Sequence, residues 1–298
     1  MKTIAGRSLA VVAAALAVAA GHAQQAPPST EVFLADLGAS GITAVRNISD
    51  SPGYDNQPHF LPDGAALLFS SNRDGQQTDI YRYDVAAGRL TQVTKTAESE
   101  YSPTPAPDGK TFTVIQVEAD STQRLWRFDL DGGNPRVVLD RVMPVGYHVW
   151  IDQSRLALFV LGAKGQPNTL QIADIRTGAA EVVESSIGRS LLRRPGTREI
   201  SYVHKPQGRP WTIASLNPDT RQSTTLVPTL EGSEDLAWLP DGRAVMAQGT
   251  TFHVWTPGRA DWQPLSADLP AGAGATTRIA VSPDGRRIAF VAADRRAP

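Results

Sequence analysis

Pro62-Asp63-Gly64-Ala65-Ala66-Leu67-Leu68-Phe69-Ser70-Ser71-Asn72-Arg73-Asp74-Gly75 is the stretch that decides the fold. Pro fixes φ, Asp accepts hydrogen bonds from the N–H groups after it, and Gly takes a left-handed backbone, so Pro-Asp-Gly predicts a tight turn. An apolar run from Leu67 to Phe69 follows and reads as a strand. A polar, Gly-containing turn leads to a second alternating strand, Asp79–Asp84, and then to a third, Leu90–Thr94. Counting the strand that runs into Pro62, the unit has four antiparallel strands.

The same turn returns at Pro107-Asp108-Gly109, Pro240-Asp241-Gly242 and Pro283-Asp284-Gly285. Two degenerate copies, around Asp152-Gln153-Ser154 and Pro195-Gly196-Thr197, fill the gap between the second and third. With anchors at positions 62, 107, 152, 195, 240 and 283, the period is 43 to 45 residues throughout. Four-stranded units of that length are the mark of propeller blades. The expectation is all-β: a six-bladed β-propeller. The sixth repeat supplies only the strand before Pro283 and Arg287–Ala292. Its outer strands are expected from Glu31–Asp36 and Ile42–Ile48, so the ring closes by pairing the two ends and leaves no open edge.

Residues 1–23 carry Lys2 and Arg7, an apolar run Leu9–Ala20, and Gly21-His22-Ala23, the pattern of a secretory signal peptide cut after Ala23. Residues 24–30 are expected to be a disordered linker and 31–298 the propeller, which leaves no room for a second catalytic domain. A periplasmic, monomeric product without membrane insertion is expected, since no later run reaches the length of a transmembrane helix. The chain of 298 residues has no Cys, which removes disulfides, thiolate catalysis and Cys-based metal sites. Losing Lys2 and Arg7 from the 29 basic residues leaves 27 against 30 acidic ones, and so weak an acidic balance argues against nucleic acid.

The quoted stretch, with Asp79-Ile80-Tyr81 and Leu90-Thr91 after it, resembles the TolB-like propellers with WD40-like repeats of the Pro-Asp-Gly type. The resemblance covers residues 31–293, is specific for fold and is carried by turns rather than by chemistry. It implies association with envelope proteins. Only a short segment separates Ala23 from the first strand, so a stand-alone propeller without the extra N-terminal domain of TolB is expected. No Gly-x-Ser-x-Gly elbow occurs, and with the sequence ending soon after the last strand the chain is not expected to be one of the peptidases that join such a propeller to a hydrolase domain.

Repeated Asp residues serve their turns, and Asp129–Asn134 reads as a hairpin rather than a calcium loop. His59, His148, His204 and His253 fall in different repeats. Strand alternation sends His59 and His148 to opposite faces, so no metal site, cofactor or catalytic residue is assigned. Two residues before each anchor stand Phe60, Pro105, Trp150, Arg193, Trp238 and Val281, a column expected to wedge between blades, with Arg193 as the unexplained exception. Six and five residues before the anchors, all the residues except Gly146 have side chains that can hydrogen-bond, and they differ between blades. From this column and its neighbour Glu100 come the candidate binding residues at the channel mouth: Asn56, Gln57, Glu100, Tyr101, Tyr147, Arg189, Glu234, Asp235 and Arg278. Glu100, Glu234 and Asp235 facing Arg189 and Arg278 would give a split charge suited to a peptide. They could equally do no more than solvate the axis. The functional expectation is a non-catalytic scaffold for an envelope protein or peptide. The alternative is a propeller enzyme of carbohydrate lyase or hydrolase type with its substrate in the central channel.

Overall fold

The computed structural model describes residues 29–75 and 77–293, all of them strands and connections. The expected signal peptide and its cleavage site lie outside the described residues. Thr30–Gly38 (β1) and Gly41–Asn47 (β2) are followed by six repeats. The first comprises Asp55–Phe60 (β3), Ala66–Ser71 (β4), Asp79–Asp84 (β5) and Arg89–Gln92 (β6). The second has Ser99–Pro105 (β7), Thr111–Val117 (β8), Gln123–Asp129 (β9) and Arg136–Val137 (β10). Val145–Trp150 (β11), Arg155–Val160 (β12), Thr169–Asp174 (β13) and Ala179–Ser185 (β14) make the third. Ile187–Arg193 (β15), Ile200–His204 (β16), Thr212–Leu216 (β17) and Ser223–Pro228 (β18) make the fourth. The fifth is Leu236–Trp238 (β19), Ala244–Gln248 (β20), Thr251–Trp255 (β21) and Gln263–Leu265 (β22), and the chain closes with Thr276–Val281 (β23) and Arg287–Ala293 (β24).

These form six four-stranded antiparallel sheets, and the last has the order β2-β1-β24-β23. The predicted closure by the N-terminal strands is therefore present. It rests on seven cross-strand pairs, from Thr30 opposite Ala293 to Asp36 opposite Arg287. β1 begins at Thr30, one residue before the sequence-based boundary. Phe290 of β24 is fully buried, stacked on Phe33 at 5.4 Å and edge-on to Phe252 of the fifth blade at 5.3 Å, so closure also knits the neighbouring seam.

The turns behave as their composition demands. Asp63 accepts from the Ala65 N–H at 2.9 Å, and Asp108 from those of Lys110 and Thr111 at 2.8 and 2.9 Å. Gly64 and Gly109 sit at φ 69° and 67°, where a side chain would be strained. In the degenerate third turn Asp152 still accepts from Ser154 and Arg155, so the function of the turn survives the loss of Pro and Gly.

The wedge column holds for two tryptophans in the same way. Trp150 donates to Thr113 Oγ1 of the preceding blade at 3.1 Å, and Trp238 to Ser201 Oγ of its preceding blade at 2.7 Å. Arg127 and Arg194 lie over the respective rings at 4.7 and 5.4 Å. Each indole thus fills a seam with its polar edge satisfied. Arg193 does not wedge: its side chain is exposed.

Candidate functional site

The six inner strands, β3, β7, β11, β15, β19 and β23, run the same way along the axis, from one mouth toward the Pro-Asp-Gly turns. Near their start, β3, β7, β11, β15 and β23 each break register with the next strand. β19 begins only at Leu236, immediately after the equivalent point. A bulge bends a strand and re-aims its side chains. At the bulges Gln57, Ser102 and Arg278 hold φ of 58°, 54° and 46°, a conformation that L-residues other than Asn and Asp seldom adopt. In β3, β7 and β23 the residue five before the anchor is out of the ladder, so there the position that varies between blades is also the one whose backbone leaves the ladder.

Gln57, Tyr147, Arg189, Asp235 and Arg278 line a narrow axial cavity of about 120 Å³. Asp235 is the hub. Arg189 donates to both its carboxylate oxygens, Nε to Oδ1 at 3.1 Å and Nη2 to Oδ2 at 2.5 Å. Arg278 donates Nη1 to Oδ1 at 2.9 Å and Nη2 to the Tyr147 hydroxyl at 2.8 Å. Glu234 faces Arg189 at 3.4 Å and Lys205 at 3.2 Å. Lys205 in turn lies 3.8 Å above the Trp211 ring. Burial alone would raise the Asp235 carboxyl, yet Arg278 and Arg189 hold it below the usual carboxylate range. Burial likewise opposes the charge on Arg189, and the bonds to Asp235 outweigh it, so its pKa rises. Gly188 makes this packing possible, because a Cβ there would stand 2.5 Å from Glu234 Oε2.

Tyr147, Arg189, Glu234, Asp235 and Arg278, from the third to the sixth repeats, therefore meet in one network. Gln57 stands apart on the same rim, accepting from the Ser102 N–H at 2.9 Å and from Ser70 Oγ at 3.2 Å. The remaining three candidates do not line the cavity. Asn56 is buried and donates to Thr30 Oγ1 at 3.3 Å, tying the inner strand to β1. Tyr101 meets the Tyr54 ring edge-on at 6.1 Å. Glu100 is wholly buried in the seam between the first two blades, accepting from Thr94 at 2.9 Å and Thr96 at 2.5 Å. Burial pushes its carboxyl up to about 7 against those bonds. Glu100 thus faces the blade interface, not the charges of the mouth. Lys205 was missed because it follows β16, a second strand outside the column that sequence reading follows.

His59 and His148 diverge as alternation requires. His148 turns into a seam, with Nε2 2.7 Å from Thr113 Oγ1, whereas His59 lines the channel along its length. Both touch the narrow cavity nonetheless. Burial drives the pKa of His59 down to about 4 and that of His148 to about 3, so both are neutral at pH 7. Among the described residues, no group of three or more His, Asp or Glu could hold a metal ion, and no helix is long and apolar enough to cross a membrane.

No protein-family profile matches the chain. An uncharacterised protein of Agrobacterium fabrum is 28% identical over 100 residues, 31% of this chain and 34% of that one. The Tol-Pal system protein TolB of Bordetella pertussis is 44% identical over 39 residues, 13% of this chain and 9% of that one. The chain thus matches about a third or less of these relatives' length. Among solved structures, a TolB-assigned protein of Agrobacterium tumefaciens superposes with a TM-score of 0.71 at 16% identity, covering 90% of this chain and 99% of that one. An oligogalacturonate lyase in complex with manganese gives 0.57 at 16% identity, covering 84% and 79%. At such identities the likeness concerns the fold, which binding proteins and enzymes share. With its six blades, its turn repeat and these neighbours, the chain is a six-bladed β-propeller that closely resembles the TolB-type propellers.

Proposed function

We propose that this propeller is a non-catalytic scaffold that holds a protein or peptide of the cell envelope at its narrow mouth. The observation that carries the reading is the Tyr147–Arg278–Asp235–Arg189 network. It presents both signs of charge on bulged, rigid strands, and its arginine side chains keep 18 to 30% exposure. Pre-organised polar groups around a concave opening favour recognition of a partner's backbone and charged side chains. The carboxylate at its centre is bound by two guanidiniums, which suits an anchor and makes a poor general acid or base at neutral pH. A solved propeller of similar fold is an oligogalacturonate lyase in complex with manganese, whereas among the described residues here no group of three or more His, Asp or Glu could hold a metal ion.

The signal-like residues 1–23 and the name of the Bordetella relative, which places that protein in the Tol-Pal system, support export to the periplasm. Fractionation with N-terminal sequencing of the mature chain tests this, with Gln24 expected as the first residue. For binding, a photo-crosslinker at Gln57 in the native envelope should capture a defined partner. Reversing the charges of Arg189, Glu234, Asp235 and Arg278 together should remove that partner, with a melting transition recorded to show that the fold survives. Retention of every crosslinked partner by the folded variant would sink the reading. Turnover of a polygalacturonate or similar carbohydrate by the unmodified protein would favour the enzyme instead.

A further inference from the structure

The channel is not symmetric along its axis. Beyond His59, Thr104, Val149, Leu192 and Ile279 it widens toward the Pro-Asp-Gly turns into a cup of about 710 Å³. Its wall is mostly apolar, with Phe60, Pro105, Trp150, Trp238 and Val281 from the wedge column exposing edges to it. Both indoles are locked by their N–H bonds to the preceding blade, so the cup is pre-formed. Arg193, the odd member of the wedge column, stands in this wall. Its side chain is exposed and makes no hydrogen bond, ion pair or ring contact among the described residues, unlike that of its neighbour Arg194, which is bound to Glu199 and to Ser215 Oγ at 3.1 Å and covers Trp238. Among the described residues that line the cup there is no carboxylate, and His59 at its floor is neutral at pH 7.

A rigid apolar cup of ligand size with one unspent cation fits an occupant with an apolar body and one negative head. We propose that the wide mouth is a second binding site, opposite the charged one, for a free single-chain organic anion whose carboxylate or sulfonate accepts the N–H bonds of Arg193. The apolar body would lie against Trp150, Trp238 and Phe60, and the site would work independently of any partner at the narrow mouth.

Dodecanoate, kept below its micelle concentration, is the probe, followed by tryptophan fluorescence and calorimetry on the full mature chain. Saturable one-site binding is expected, weakened about tenfold or more in Arg193→Gln through the lost charge-assisted bond, and partly restored in Arg193→Lys. Arg198→Gln, which removes a like charge outside the cup, should leave it unchanged. Dodecanol and dodecyltrimethylammonium should bind no better to the unmodified protein than dodecanoate binds to Arg193→Gln. An unchanged melting curve for Arg193→Gln excludes misfolding as the cause. The proposal fails if binding does not saturate at one site, if dodecanol binds as tightly as dodecanoate, or if Arg193→Gln has no effect. It fails equally if flotation shows Arg193-dependent attachment to phosphatidylglycerol vesicles without binding of the free anion, which would replace the ligand with a membrane surface.

Discussion

Glu100 and Asp235 are both acids near the start of an inner strand, and their surroundings ionise them in opposite ways. Glu100 lies seven residues before its anchor, wholly buried among the hydroxyls of Thr94 and Thr96, and its pKa is about 7. Asp235 lies five residues before its own, beside Arg189 and Arg278, and its pKa is lowered. A shift of two residues along equivalent strands moves a carboxylate from the inter-blade seam to the mouth. Position along the strand, not residue type, decides whether the group is a proton-holding structural element or a charged hub.

Both environments presuppose a closed ring, so the largest effect should come from opening it. Deleting residues 30–47 removes β1 and β2 and leaves β24 paired with β23 alone, its other edge open; loss of a single cooperative urea transition is expected. A deletion variant that melts like the parent would show the blades to be independent. Next in size, Asp235→Ala strands two guanidiniums together and should cost roughly 3 kcal/mol at pH 7 by urea titration, since breaking a partly buried pair leaves uncompensated charge. A loss below about 1 kcal/mol would mean that the network is as weak as a surface ion pair.

Glu100→Gln tests the other half. A carboxyl raised from 4.5 to about 7 stabilises the fold fully below its unfolded value, and that contribution disappears as pH rises through 7. The stability of the parent relative to the Gln variant should therefore fall by roughly 3 kcal/mol between pH 4.5 and pH 8. A pH-independent difference would refute the protonated seam. Asp235 has the reverse sign: its contribution is present above its unfolded value and is lost only as pH falls through its lowered one. The smallest effect belongs to the far end of the same strands. Asp108→Asn keeps an acceptor for the Lys110 and Thr111 N–H groups and should change stability by less than about 0.5 kcal/mol.

The turns and the closure were legible in the sequence because their causes are local or countable. Asp and Gly satisfy each turn within a few residues, and the missing strands at one end match surplus strands at the other. The mouth was legible as a column of varied polar residues, and Tyr147, Arg189, Glu234, Asp235 and Arg278 do converge. Their neighbours were not, because five of the six inner strands are bulged near that column. A bulge shifts the alternation by one, so the facing of Asn56, Tyr101 and Glu100 cannot be carried across it from the regular part of the strand. Lys205 escaped for a different reason: it enters from the end of a second strand. Arg193 stands in the wedge column by position, yet its side chain is left in solvent, and nothing in the column's spacing signals it.

The pairing of β1 with β24 also sets a timetable. β1 leaves the ribosome early, while the strand that completes its blade is made some 250 residues later. At usual elongation rates this is a wait of roughly ten to fifty seconds. During that interval the five self-contained blades can form in order, while the first-made strand has only β2 to pair with. A chain lacking Arg287–Ala293 would leave its earliest strand without the partner that completes its blade.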